Sequence, residues 1–404
     1  MIAAFDDLQA ALASEEPCRE LSLALGYSES LPTELVALTE LQSLRVTCED
    51  GVLELPPWIG RMRGLKTLEL QGNVEEIPES LGELDTLRRL VLRSSGTFPP
   101  VIAQLRRLRE LEIEVSSVGT APMALSELDR LEALYLRVAR LDQVPIGLLA
   151  LPNLRMLVIE ASASKQSAVN ELPAMLPGLT HLEDLAILGW RMSNLPPALL
   201  QLAELRTLTL RRCALEQLPK SWSALTRLRK LDLSDNRLAT LPPSIGALSN
   251  LRELVLTDNP LYELPPQLGA LEYLERLDLD GSRLKALPST LGRLHRLQVL
   301  SVADTRSLAA LPESAELLTK LVRVDLARGA LTEVPAWLFD LPRLTSLRLD
   351  GNKITALPEN LLNNDTITHL SVGDNPLRED QRRALERYRR ARDEVERPID
   401  LLGV

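Results

Sequence analysis

The side chains best suited to proton transfer near neutral pH are three histidines, His181, His295 and His369. They fall in separate stretches, and none lies with cysteines or carboxylates at the spacing a zinc site requires. Cys18, Cys48 and Cys213 are too few and too scattered for a disulfide framework. Their positions predict buried thiols at Cys18 and Cys213 and a partly exposed one at Cys48. No glycine-rich phosphate loop, dinucleotide fingerprint or nucleophile elbow occurs. Asp278 and Asp280 could hold a cation, but flanking arginines make a surface ion-pair network the expectation there. These residue types predict no enzyme, no metal and no cofactor. The remaining chemistry is recognition: charged side chains and a few aromatics, displayed on a scaffold.

That scaffold is written as a repeat. The pattern L-x-x-L-x-L-x-x-N-x-L-x-x-L-P-x-x-I/L-x-x-L returns about every 23 residues, as in Leu228, Leu231, Leu233, Asn236, Leu238, Leu241, Pro242, Ile245 and Leu248. Taking the first leucine as a marker, copies begin at Cys18, Leu41, Leu65, Leu87, Leu108, Leu131, Leu154 and Leu182. They continue at Leu205, Leu228, Leu251, Leu274, Leu297, Leu321, Leu344 and Ile367, giving 16 with the last partial. A unit this short cannot bury its apolar face alone, so the copies must stack as a solenoid. L-x-L alternation predicts a short strand with one buried face. The following Leu-Pro fits neither a regular helix nor a central strand, which predicts extended and 3₁₀ segments on the opposite, convex side.

The asparagine position predicts a hydrogen-bond ladder at the bend after each strand, through Asn73, Asn236, Asn259, Asn352 and Asn375. Ser95, Ser116, Ser162, Cys213, Ser282 and Thr305 are smaller substitutes. Trp190 is too large for the slot, and its ring is expected to turn outward. The preceding copy, from Leu154 to Leu182, is the longest at 28 residues and carries a polar surface loop at 163–169. Three segments are expected. Residues 1–17 form an N-terminal helical cap with Ile2, Phe5, Leu8 and Leu12 on one face. Residues 18–377 form the solenoid. Residues 378–404 form a C-terminal cap helix and tail, with Ala384, Leu385, Tyr388, Ala391 and Val395 at helical spacing. The arginines of that last helix are interleaved with acids, as on a solvated face.

The motif, with Leu241-Pro242-Pro243-Ser244-Ile245-Gly246 as its best match, resembles the short, 23-residue class of intracellular leucine-rich repeat proteins. That class includes Shoc-type and plant Ras-group scaffolds and bacterial effectors. The resemblance implies an α/β solenoid: a leucine-rich repeat horseshoe with a parallel concave sheet and helical caps at both ends. It also implies non-catalytic protein binding, with a bacterial effector engaging a host protein as one context. An intracellular scaffold for a small GTPase or phosphatase is another. The substrate-recruiting part of a ubiquitin-ligase system is a third.

Within the solenoid, the residues between the leucines of each strand face the concave side and locate a binding surface. Most are charged. Tyr135, Met156, Val158, Ala186 and Leu188 instead form an apolar island, with Arg137 and Glu160 beside it, Glu110, Glu112 and Glu114 on one flank and Trp190 at its edge. Aromatic and methionine anchors ringed by charge are the composition of an interface core. A net charge of −10 argues against nucleic acid. No apolar run reaches the ~20 residues of a membrane span, and the first residues lack a signal-peptide pattern. The expectation is a monomer in the cytoplasm or another reducing compartment, open to translocation into a host cell without a cleavable signal.

Overall fold

The computed structural model describes residues 4–26, 29–117, 125–140, 151–161, 178–394 and 400–402. They fall into two compact units, Met1–Met192 and Ser193–Val404. The first holds β1 (Ala4–Phe5), α1 (Leu8–Ala13), β2 (Glu20–Leu25), β3 (Ser43–Val52), β4 (Thr67–Asn73) and β5 (Arg89–Arg93). It continues with β6 (Glu110–Ser117), β7 (Ala133–Arg140), β8 (Met156–Ala161) and β9 (Asp184–Leu188). The second holds β10 (Thr207–Arg211), β11 (Lys230–Asp232), β12 (Glu253–Val255), β13 (Arg276–Asp278) and β14 (Val299–Ser301). It ends with β15 (Arg323–Asp325), β16 (Ser346–Arg348), β17 (His369–Ser371), α2 (Glu379–Glu394) and β18 (Asp400–Leu402). Within each unit every strand pairs in parallel with the next, leucine opposite leucine: Leu111 faces Leu134, and Leu231 faces Leu254. Each unit is therefore a parallel-stranded solenoid.

The alternation in the sequence is the alternation in burial. On β6, Leu111, Ile113 and Val115 are buried, while Glu110, Glu112 and Glu114 stay half-exposed on the other face. The returns are 3₁₀ turns, such as Pro57–Arg61, Pro243–Ala247 and Pro266–Ala270. Nearly all are entered through a proline whose fixed φ suits the start of a turn and whose missing N–H leaves no donor to satisfy. The Gly of the Ile-Gly pair has a steric reason: a Cβ on Gly246 would stand 2.5 Å from the Gln267 carbonyl oxygen of the neighbouring turn.

The asparagine ladder forms in the second unit at its four asparagine slots. The buried Asn259 amide donates to the carbonyls of Leu233 (2.9 Å), Leu256 (3.0 Å) and Thr257 (3.3 Å), and its Oδ1 accepts from the Leu238 amide at 3.1 Å. Asn236, Asn352 and Asn375 repeat the arrangement. At the next two slots the ladder continues as a buried Ser282–Thr305 hydroxyl pair at 3.1 Å. The residue before the slot takes a left-handed conformation, supplied by Asp235, Asp258, Asp304 and Asp374, by Gly281 and Gly351, and at two slots by Arg212 and Arg328. Aspartate and glycine tolerate that conformation best.

Several expectations are corrected. Asn73 is not part of the buried ladder; it ends β4, half-exposed, and accepts from the Ser95 amide at 2.9 Å. Trp190 is not turned outward but is among the largest fully buried side chains, at 1% exposure. Gly189 just before it, at φ +74, takes a bend that a Cβ would block by running into the Ala161 carbonyl oxygen, and the indole fills the interior in place of an asparagine amide. Cys48 is buried, not partly exposed, and its thiol donates to the Gly26 carbonyl at 3.1 Å. The N-terminal helix covers only Leu8–Ala13, capped by the Asp7 carboxylate. Phe5 lies instead in β1 against β2, and the buried helical residue is Ala11. At the other end, Leu385 and Tyr388 of α2 are buried, and the Tyr388 hydroxyl donates to the Asn364 carbonyl at 2.5 Å. Ile2, Ser162, the 163–169 loop and the side chains of Ala391 and Val395 lie outside the described residues.

Candidate functional site

Strands β5 to β9 bring three columns of side chains to the open face of the first unit, each neighbour one strand spacing away, about 4.8 Å. The middle column reads Val91, Glu112, Tyr135, Val158, Ala186. On one side run Arg93, Glu114, Arg137, Glu160 and Leu188; on the other, Glu110, Ala133, Met156 and Asp184. Parallel in-register pairing puts equivalent repeat positions side by side, so the columns follow directly from the repeat.

The flanking column is an alternating charge ladder. Glu114 lies 3.4 Å from Arg93 and 3.3 Å from Arg137, and Arg137 reaches Glu160 at 3.0 Å. These carboxylates, Glu160 foremost, hold the Arg137 guanidinium more basic than usual. A second ladder lies on the earlier strands, where Glu69 accepts from Arg45 at 2.7 Å and Arg89 at 3.1 Å, and Arg89 also pairs with Glu110. Burial would push the Glu69 carboxyl up, but the hydrogen bonds and charges of the two arginines outweigh it and hold it below the usual carboxylate range.

Between the rungs the surface sinks into a shallow depression, lined by Val91, Glu112, Tyr135 and Val158 along its floor and by Arg137 and Glu160 at its side. The Tyr135 hydroxyl is turned onto the Met156 sulfur at 2.7 Å, which leaves the ring as the surface of the floor. Glu112 differs from the other carboxylates here. It stands between Val91 and Tyr135, and its carboxylate makes no hydrogen bond or ion pair among the described residues.

The structure therefore brings together Glu112, Glu114, Tyr135, Arg137, Val158 and Glu160 around one depression. Met156 adjoins it through Tyr135, and Ala186 and Leu188 extend it on β9. The anticipated island is half-buried rather than open. Buried Trp190 has no place on this face. Sequence reasoning missed Val91 and Arg93 as lining residues, although their register with Glu112 and Glu114 was available from repeat position alone. It also missed Tyr262 and Tyr273, which are exposed outside any strand in the second unit. Asp278 pairs with Arg276 at 2.8 Å as anticipated, but Asp280 is held by the Ser301 hydroxyl and the Ala303 amide, both at 2.7 Å. Burial, with the charges of Asp278 and Asp325, pushes the Asp280 carboxyl up to about 6. Among the described residues no three His, Cys, Asp or Glu side chains are placed to hold a metal ion, and no helix is long and apolar enough to cross a membrane.

Comparison with known families agrees with this geometry. The family described as a leucine-rich repeat region matches residues 59–197 and 243–348, more than half of the chain, and a second leucine-rich repeat family matches 203–261. The chain is a leucine-rich repeat protein. No curated protein matches it in sequence. Among solved structures, this leucine-rich repeat protein is similar to the Leptospira interrogans LRR protein LIC12759, at 24% identity and a TM-score of 0.83, over 99% of this chain and 100% of that one. It is also similar to an internalin, InlF, of Listeria monocytogenes (20% identity, TM-score 0.59, 72% of this chain and 82% of that one). The Drosophila Toll–Spätzle complex is a further likeness (18%, TM-score 0.67), over 93% of this chain but only 58% of the other. At these identities the likeness is one of fold.

Proposed function

We propose that this leucine-rich repeat protein is a non-catalytic binding module that holds a partner protein on the open face of its first unit, centred on Tyr135, Val158 and Ala186. The observation that carries this reading is the depression itself. Its floor is aromatic and aliphatic, and its rim charges are already satisfied by one another, so a partner can cover them without stranding an ion. Glu112 is the exception, and it assigns the partner a lysine or arginine at the centre of the contact, where a desolvated charge pair contributes most to discrimination. Strands locked by the leucine interior present these groups with little ordering cost on binding. That one solved structure of this fold is a complex with a protein ligand, Toll with Spätzle, supports the same reading. For context we propose a bacterial effector engaging a host protein, following the resemblance of the repeat motif.

The test is a double variant, Tyr135→Arg with Leu188→Arg. The new arginine at 135 faces the unpaired Glu112 carboxylate on the adjacent strand, and that at 188 adjoins Glu160, which it would share with Arg137. The change therefore removes the apolar contact and the Glu112 charge while leaving the solenoid folded. Loss of partner binding without loss of thermal stability is the expected result.

A further inference from the structure

The charge ladder just described has a counterpart at the edge of each sheet, on the residues immediately before the strands. In the first unit that column opens with Lys66, Arg88 and Arg109 and from there alternates in sign: Arg109 pairs with Glu132 at 2.9 Å, and Arg155 with Glu183 at 3.1 Å. In the second unit the same repeat position reads Arg206, Arg229, Arg252 in succession. Each backbone step is the same in both units: the Arg252 amide donates to the Arg229 carbonyl at 2.7 Å, as the Arg155 amide donates to that of Glu132 at 2.8 Å. Only the charges differ.

Like charges directly opposite across neighbouring strands destabilise a sheet, so three in a row in a chain of net charge −10 is a costly arrangement for the fold. The three backbone positions sit about 4.8 Å apart and span about 10 Å. Arg227, Asn250 and Tyr273 complete an open groove around them, and all six side chains are exposed. The equivalent groove of the first unit is lined by Arg109, Arg130, Glu132, Asn153, Arg155 and His181, position for position. The difference is therefore localised to Glu132 against Arg229 and His181 against Tyr273. In the second groove Glu204 pairs with Arg227 and Glu275 lies 3.4 Å from Arg252, but Arg229 has no ion pair among the described residues. Tyr273 stands at one end with the Arg296 guanidinium 4.2 Å over its ring, an aromatic wall capped by one more cation.

We infer that the Arg206–Arg229–Arg252 groove of the second unit is a docking site for an acidic peptide segment, whose carboxylates take the place that Glu132 holds in the first unit. Guanidiniums bind carboxylates through paired, directional hydrogen bonds, and a row of them at strand spacing suits successive acidic side chains of an extended peptide. The row ends at Glu275 after three arginines, a length that suits a short acidic segment better than a long phosphate polymer.

The experiment measures fluorescence anisotropy of a labelled hexaglutamate peptide with the full chain and with Arg229→Glu, which gives this groove the Arg-Glu-Arg order of residues 109, 132 and 155. Wild type is expected to bind, with affinity falling as salt rises. R229E is expected to bind at least tenfold more weakly, while its unfolding temperature is equal or higher because Arg206 and Arg252 gain a carboxylate between them. Absence of hexaglutamate binding by wild type would overturn the inference, as would undiminished binding by R229E. A single-stranded oligonucleotide of matched charge serves as the other arm. If it binds more tightly than the peptide and is lost in R229E, the ligand class is wrong.

Discussion

Replacing Asn259 with alanine tests the physical basis of the second unit. The amide of Asn259 donates to three carbonyls and its oxygen accepts one amide, all at a side chain only 1% exposed. Not every partner would be stranded by its loss. The Leu233 carbonyl keeps a 2.7 Å bond from Asn236, and the Thr257 carbonyl keeps the Asp235 amide at 2.9 Å. The Leu238 amide and the Leu256 carbonyl have no second partner among the described hydrogen bonds. Two buried backbone groups left bare at about 1–3 kcal/mol each put the cost of Asn259→Ala near 4 kcal/mol. Asn73→Ala is the matched control: same repeat position, one hydrogen bond, half-exposed, and a cost below about 1 kcal/mol. Urea unfolding followed by far-ultraviolet circular dichroism separates the two. Equal losses, or a loss under about 1 kcal/mol for Asn259→Ala, would refute the reasoning that the ladder stabilises through buried backbone groups.

Asp280→Asn should show a pH signature. The folded carboxyl ionises at about 6, above its unfolded value, so its contribution is fully present in acid, is lost as pH rises through that value, and leaves a net cost at neutral pH. Because the group is partly exposed the cost is discounted to about 1 kcal/mol. Thermal unfolding should therefore find the variant more stable than wild type at pH 7.5 and no more stable at pH 4; the same difference at both would count against the assignment. Ala214→Gly relieves a left-handed backbone at φ +56. That strain is worth about 1–2 kcal/mol, less the added freedom of glycine in the unfolded chain, for a net gain of about 0.5–1 kcal/mol in chemical denaturation. A loss of stability would contradict it.

The sequence was most legible where one side chain must do one thing in every copy. Leucines 231 and 254, the prolines that open the 3₁₀ turns, and Asn236, Asn259, Asn352 and Asn375 all play their repeat roles, because a stacked parallel register leaves each position a single environment. Where the bend itself changes, residue type at the slot no longer fixes the environment. An indole does not fit an asparagine slot, and size alone therefore points Trp190 outward. The glycine before it is the residue that permits a different bend, with the ring inside. Asn73 carries the right residue, but β4 runs through it as strand, so its amide faces a different bend. The columns of the candidate face could be written from the sequence, but not which charges neutralise each other. That depends on rotamers and on diagonal reach, as when Glu69 takes Arg89 from a neighbouring column. For the same reason the isolation of Glu112 was invisible until Arg93, Arg137 and Arg89 were seen to be spoken for by other carboxylates. The arginine column at 206, 229 and 252 was in plain view, but it lies before the strands and outside the positions a concave-face reading inspects.

The central claim, that a partner protein sits on the face built by Tyr135, Val158 and Ala186, is tested most directly by comparing capture of the partner by wild type and by the Tyr135→Arg, Leu188→Arg variant, with unfolding temperatures measured on the same preparations. The account predicts at least a hundredfold loss of affinity, the scale expected when central anchors are removed, with an unfolding temperature within a few degrees of wild type. Partner binding at undiminished affinity by a folded double variant would contradict it.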